Sequence, residues 1–176
     1  NQLPTITCPA NITVDADNGT CEAASIDLGS PTTNDNCFVA SVTNNAPATF
    51  AVGITNVIWT VTDVSGNVAT CTQTITVVDN QLPTITCPAN ITVDADNGTC
   101  EAASIDLGSP TTNDNCSVVS VVNDAPATFA VGTTTVTWTV TDASGNTATC
   151  TQTITVVDNQ LPTITCPANI TVDADN

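Results

Sequence analysis

The chain repeats itself. The string NQLPTITCPANITVDADN begins at Asn1, returns at Asn80 and returns again at Asn159, a period of 79 residues. The 176 residues therefore divide into unit one (1–79), unit two (80–158) and the first 18 residues of a third unit (159–176). The break in mid-unit is expected of a window on a longer array. Neighbours this similar fit a spacer role, in which every unit does the same job.

The two full units differ at nine aligned positions, all between residues 38 and 68 of unit one. Within the stretch 54–61, Ile54, Asn56 and Ile58 become Thr133, Thr135 and Thr137, while Val57, Trp59 and Val61 are unchanged. Variation at every second residue is the period of a β-strand with one tolerant face and one packed face. Val57, Trp59 and Val61 are thus assigned to the core.

Composition closes off several kinds of function. The chain has no Lys, Arg or His, and its 17 Asp and Glu residues give a net charge of -17. Without cations it cannot neutralise phosphates, so nucleic-acid binding by the usual route is excluded. Attraction to anionic lipid surfaces is excluded for the same reason, and no apolar run is long enough to insert in a membrane. Acid–base or covalent chemistry would rest on carboxylates and thiols alone. No constellation supports it, and no enzyme activity is expected. Apolar residues make up 41 %, too many for an acidic disordered chain.

Thr and β-branched residues with closely spaced turn signals predict an all-β sandwich. In unit one the expected strands cover residues 4–8, 12–16, 21–28, 38–44, 55–63 and 68–78, with a short strand near Phe50. Asp17-Asn18-Gly19-Thr20 reads as a hairpin turn with positive φ at both central residues.

Each unit has four cysteines: Cys8, Cys21, Cys37 and Cys71, then Cys87, Cys100, Cys116 and Cys150; Cys166 opens the third unit. An even count per unit points to disulfides and an oxidising, extracellular setting. Zinc is disfavoured, because neither a C-x-x-C pair nor a His is present. In a sandwich the first and last strands commonly lie side by side, which pairs Cys8 with Cys71 and Cys87 with Cys150. Cys21–Cys37 and Cys100–Cys116 follow by elimination. That second pair sits awkwardly at opposite ends of a simple sandwich, so an inter-unit bond such as Cys21–Cys116 stays open as the alternative.

Taken together, these motifs resemble the hyalin repeat, or HYR domain, an extracellular immunoglobulin-like module. The matching stretches in unit one are PTITCPANITV (4–14), NDNC (34–37), FAVG (50–53), TVTDVSGN (60–67) and ATC (69–71). Unit two matches through FAVGTTTVTW (129–138) and TDASGN (141–146). The resemblance implies tandem immunoglobulin-like β-sandwiches with adhesion or matrix roles and no catalysis. It also supports Cys8–Cys71, since many members keep that pair and lack the middle two. Arrays this uniform look like giant surface adhesins and filaments of Bacteroidota-type bacteria, gliding-motility adhesins included.

Calcium is the expected cofactor. Many carboxylates with no internal counter-charge suit a hard cation. In the inferred sandwich, the loop holding Asp114 and the turn at Asp142 lie at the top of unit two, where Asp79 enters from unit one. These three could converge on one junctional ion. Asp35 and Asp63 are their counterparts in unit one, and Asp158 begins the next junction. The competing reading is that these side chains only cap turns. Asp15-x-Asp17-x-Gly19 lacks the spacing and distal Glu of a calcium loop and is read as a solvated turn.

The expected function is a structural stalk or filament of a secreted or cell-surface adhesin, with neighbouring repeats as the partners of each unit. The alternatives are a module that binds a glycan, protein or surface directly, and a fibre that self-assembles laterally.

Overall fold

The computed structural model describes residues 2–173. It is all-β. Unit one contains β1 (Thr5–Thr7), β2 (Ile12–Asp15), β3 (Glu22–Ala24), β4 (Thr32–Asn34), β5 (Val39–Asn44), β6 (Thr49–Ala51), β7 (Gly53–Asp63) and β8 (Val68–Val78). Unit two repeats the series as β9 (Thr84–Thr86), β10 (Ile91–Asp94), β11 (Glu101–Ala103), β12 (Thr111–Asn113), β13 (Val118–Asn123), β14 (Thr128–Ala130), β15 (Gly132–Asp142) and β16 (Thr147–Val157). Residues 163–173 repeat the sequence of β1 and β2 yet form no strand. The segments that pair with them in the full units have no counterpart after residue 173 in the sequence.

One layer of each sandwich is a four-stranded sheet, ordered β2-β8-β7-β5 in unit one and β10-β16-β15-β13 in unit two. The other layer consists of two short ribbons, β1-β4 and β3-β6, with their equivalents in unit two. The long hairpin β7–β8 is the frame, with Trp59 paired to Cys71 and Val61 to Ala69. Strand β2 adds to it in parallel, Ile12 opposite Ile75.

The core follows the strand period. Val57, Trp59 and Val61 are buried on β7, and Ile75 and Val77 on β8, with Phe50 and Ala23 facing them from the second layer. Each large apolar side chain so covered contributes about 1.5–3 kcal/mol. Ile54 and Ile58 lie on the outer face and are exposed, as the variation between units predicts. Gln73 continues the inward series of β8 and is fully buried. Its Oε1 accepts from Trp59 Nε1 at 3.0 Å, and its Nε2 donates to the carbonyls of Ala10 and Leu28 at 2.8 and 3.1 Å.

Three local expectations are corrected. The stretch 21–28 is a strand only over Glu22–Ala24, and Thr32–Asn34, outside the expected strands, pairs with β1. The Asp17–Thr20 turn forms, with Thr20 N donating to Asp17 O at 3.0 Å, but it does not close a ladder between β2 and β3. It carries the chain from one layer to the other. Only Gly19 has positive φ there, at 77°, so the turn needs a left-handed residue at its third position alone.

Candidate metal centre at the unit junction

The strand period also delivers the carboxylates. On β15 the inward residues run Val136, Trp138, Val140 and then Asp142, all buried. On β8 they run Gln73, Ile75, Val77 and then, one step past the strand, Asp79. The inward face of each sandwich thus runs out onto an acid at either end. Stacking the two units brings Asp79, from the foot of unit one, to Asp142, at the head of unit two. The loop after β12 supplies Asp114. One carboxylate oxygen from each of Asp79, Asp114 and Asp142 lies within 4.8 Å of the others. Two ligands on a common calcium ion stand at most about 5 Å apart.

Every carboxylate accepts hydrogen bonds from nearby donors. Asp142 Oδ1 accepts from Ser144 N and Asn146 N at 2.9 and 2.7 Å, and its Oδ2 from Asn146 Nδ2 at 2.8 Å. Burial pushes the Asp142 carboxyl up, but these bonds from Asn146 and Ser144, with the N–H of Gly145, outweigh it and hold the group below its ordinary value. Asp114 Oδ2 accepts from Cys116 N and Ser117 N at 2.9 and 3.0 Å, while Asp114 Oδ1 is buried with no partner. Asp79 accepts from Asn115 Nδ2 and Gln81 N through Oδ1 and from Ser144 Oγ through Oδ2. A buried acceptor without a donor is costly. Three clustered carboxylates in a chain without Lys, Arg or His have no internal cation to offset their repulsion. The donor set, all hard oxygen, fits calcium.

Unit one holds the same fragments. Asp35 Oδ1 is buried and unpartnered, and Asp63 is capped by Ser65 N, Asn67 N and Asn67 Nδ2. The Asn67 side chain, opposed by burial and helped by the N–H groups of Asn67, Ser65 and Gly66, draws the Asp63 carboxyl below its ordinary value. Asp158, the equivalent of Asp79, is exposed, whereas Asp79 is 3 % exposed under unit two. Asp15 and Asp17 do not form a cluster: Asp15 accepts from Asn80 Nδ2 at 2.7 Å and Asp17 from Ala24 N at 2.9 Å.

The junction is also bonded covalently. Cys8–Cys71 and Cys87–Cys150 join the two layers within each unit. The middle cysteines pair differently from the elimination Cys21–Cys37 and Cys100–Cys116. Cys21 is bonded to Cys116 across the junction, with their Cα atoms 4.7 Å apart, and Cys37 and Cys100 are unbonded. The reason is direction. The Cys21 turn faces down the array and the Cys37 loop faces up it, so neither reaches its own unit's partner. Hydrogen bonds complete the seam: Asn115 Nδ2 to Thr20 O at 2.7 Å, Gly19 N to Gln81 Oε1 at 2.7 Å and Asn146 Nδ2 to Asp79 O at 3.0 Å. Asn115, Ser144, Asn146 and Gln81 are not among the site residues expected from the sequence, although each lies within four residues of one.

An HYR domain matches residues 1–77 and again 78–156, and the chain belongs to that family. It is 38 % identical over 152 residues to hyalin of Strongylocentrotus purpuratus, covering 81 % of this chain and 12 % of that protein. It is 37 % identical over 151 residues to hyalin of Lytechinus variegatus, covering 81 % and 28 %. The chain thus spans a small part of these relatives. Among solved structures, Drosophila N-cadherin EC1-4 superposes over 89 % of this chain and 50 % of that one, at 11 % identity and a TM-score of 0.43. A likeness that slight has no bearing on function.

Proposed function

We propose that the chain is a segment of an extracellular array of 79-residue repeats, divided after residues 79 and 158, that serves as the stiff stalk of a secreted or cell-surface adhesin. The observation that carries this reading is the junction. A disulfide, a set of inter-unit hydrogen bonds and a carboxylate triad drawn from both units all fix one unit on the next. A flexible tether needs none of these. Three disulfides fit an oxidising exterior, as does the hyalin relationship. Bacterial surface filaments of the gliding type are the finer form of this proposal and rest on the uniformity of the repeats.

Asp79, Asp114 and Asp142 would hold a calcium ion at the junction, with Asp35, Asp63 and Asp158 serving the neighbouring ones. The ion would neutralise the triad and couple the ends of two sandwiches. The triad by itself repels, so the expected signature has two parts. Millimolar calcium raises the melting temperature and lengthens the particle in small-angle X-ray scattering, and EGTA reverses both. Asp114→Asn raises the melting temperature in EGTA, because a charge is lost from the triad, and abolishes the response to calcium. No heat of calcium binding and no calcium-dependent melting shift would sink the ion while leaving the stalk.

A second reading, a direct binding module, has one observation in its favour. Phe38 and Ile54 are 80 % and 73 % exposed on unit one, where unit two carries Ser117 and Thr133. A glycan and surface-protein screen that finds unit-one-specific binding lost in Phe38→Ser would favour it over the stalk.

A further inference from the structure

We propose that Cys37 and Cys100 are the two open halves of the same inter-unit staple, and that each end of this two-unit block docks a further copy of the 79-residue unit, head to tail, through a bond of the Cys21–Cys116 kind. The period assigns the roles. Cys100 stands in unit two where Cys21 stands in unit one, and Cys37 stands in unit one where Cys116 stands in unit two. Both are exposed and unbonded. The internal junction is therefore an occupied example of the site that each end presents.

Both ends already carry the local frame of that example. At the closed junction the turn before Cys21 is held by Gln81, which accepts from Gly19 N at 2.7 Å and donates to Asp17 O at 3.1 Å, while Asn80 donates to Asp15 at 2.7 Å. At the far end Gln160 accepts from Gly98 N at 2.7 Å and donates to Asp96 O at 3.0 Å, and Asn159 donates to Asp94 at 2.7 Å. Cys100 is thus set in the same grip as Cys21 before any partner arrives. At the near end Asp35 Oδ2 accepts from Cys37 N at 2.7 Å, as Asp114 Oδ2 accepts from Cys116 N at 2.9 Å. Asp35 Oδ1 is buried and lacks a partner, the same state as Asp114 Oδ1.

The two ends differ, so the contact is heterologous, joins head to tail and excludes a symmetric dimer. Bond formation needs a two-electron oxidant, here a small-molecule disulfide such as oxidised glutathione. The Cys100 thiolate attacks one glutathione sulfur and releases the other as thiolate. The incoming unit's thiolate then attacks the Cys100 sulfur and releases the second glutathione. Two protein thiols lose two protons and two electrons, and one glutathione disulfide becomes two thiols.

The test continues the chain after Asn176 with the residues that follow Asn97 in unit two, which completes a third unit. It is refolded in a glutathione redox buffer, alkylated and digested with a protease that cuts at carboxylates, since trypsin has no Lys or Arg to cut at. Cys100 should appear bonded to the third unit's counterpart of Cys116, with its alkylation at least roughly tenfold below that in the 176-residue chain. At a chain concentration low enough that separate chains do not meet, Cys37 and the third unit's counterpart of Cys100 should stay alkylatable, as Cys100 does in the 176-residue chain. Cys100→Ser should expose the counterpart of Cys116 while Cys87–Cys150 stays protected, which shows that the fold survives the change. If Cys100 remains alkylatable while Cys21–Cys116 is intact, the proposal is wrong. It is equally wrong if the counterpart of Cys116 stays protected in Cys100→Ser.

Discussion

Gln73 shows how much one buried amide can hold. It ties the Trp59 indole to the carbonyls of Ala10 and Leu28, and so ties β8 to two connections of the opposite layer. Gln73→Leu keeps the volume but strands an indole N–H and two carbonyls, at a cost of about 3 kcal/mol. Urea unfolding followed by Trp59 fluorescence, in a Trp138→Phe background, measures it. The signal for Gln73 was present in the sequence, because the inward series Val77, Ile75 leads to it. Its partners lie on distant loops, and no local pattern names them. Asp63 gives a prediction in pH. Its carboxyl lies below the ordinary 3.8 in the folded chain, so the unfolded state binds its proton first as pH falls. Its contribution is complete above the ordinary value and is lost as pH drops through the folded one. Asp63→Asn should flatten acid unfolding below about pH 4, seen by circular dichroism in the absence of calcium.

At the scale of elements, β7 is a strand with one free face and one committed face. Val57 is fully buried and Ile54 is 73 % exposed. Val57→Ala should cost about 2 kcal/mol and Ile54→Thr, which unit two already carries as Thr133, less than about 0.5. Chemical denaturation of both variants checks the contrast. Strands β7 and β8 were legible because each is 11 residues long, and on β7 the units also vary at alternate positions. Strands β3 and β4 have three residues each, too few for a period to show. The Asp17–Thr20 turn misled for another reason: its local chemistry is the same whether the next strand returns in the same sheet or crosses to the other. Asp79, Asp114 and Asp142 were brought to one junction by strand direction alone, which the turns did encode. The partner of Cys21 depends on how one sandwich sits on the next, and that relation has no signature within a unit.

For the whole molecule, the pattern of bonds matters more than their number. Cys8–Cys71 and Cys87–Cys150 each span 63 residues, and only the stretch from Cys71 to Cys87 joins one such loop to the next. A pull on the two ends travels through sulfur, past the loops. Each loop, if it unfolded freely, would release about 200 Å of chain. Pulled singly in an optical trap, the oxidised chain should show no step of that size, and the same chain in dithiothreitol should show one per unit. Cys21–Cys116 bridges the two shielded loops and adds a second, parallel strand of load between the units. The redox state of the surroundings, and not the size of the pull, would then decide how far such a fibre can lengthen before it breaks.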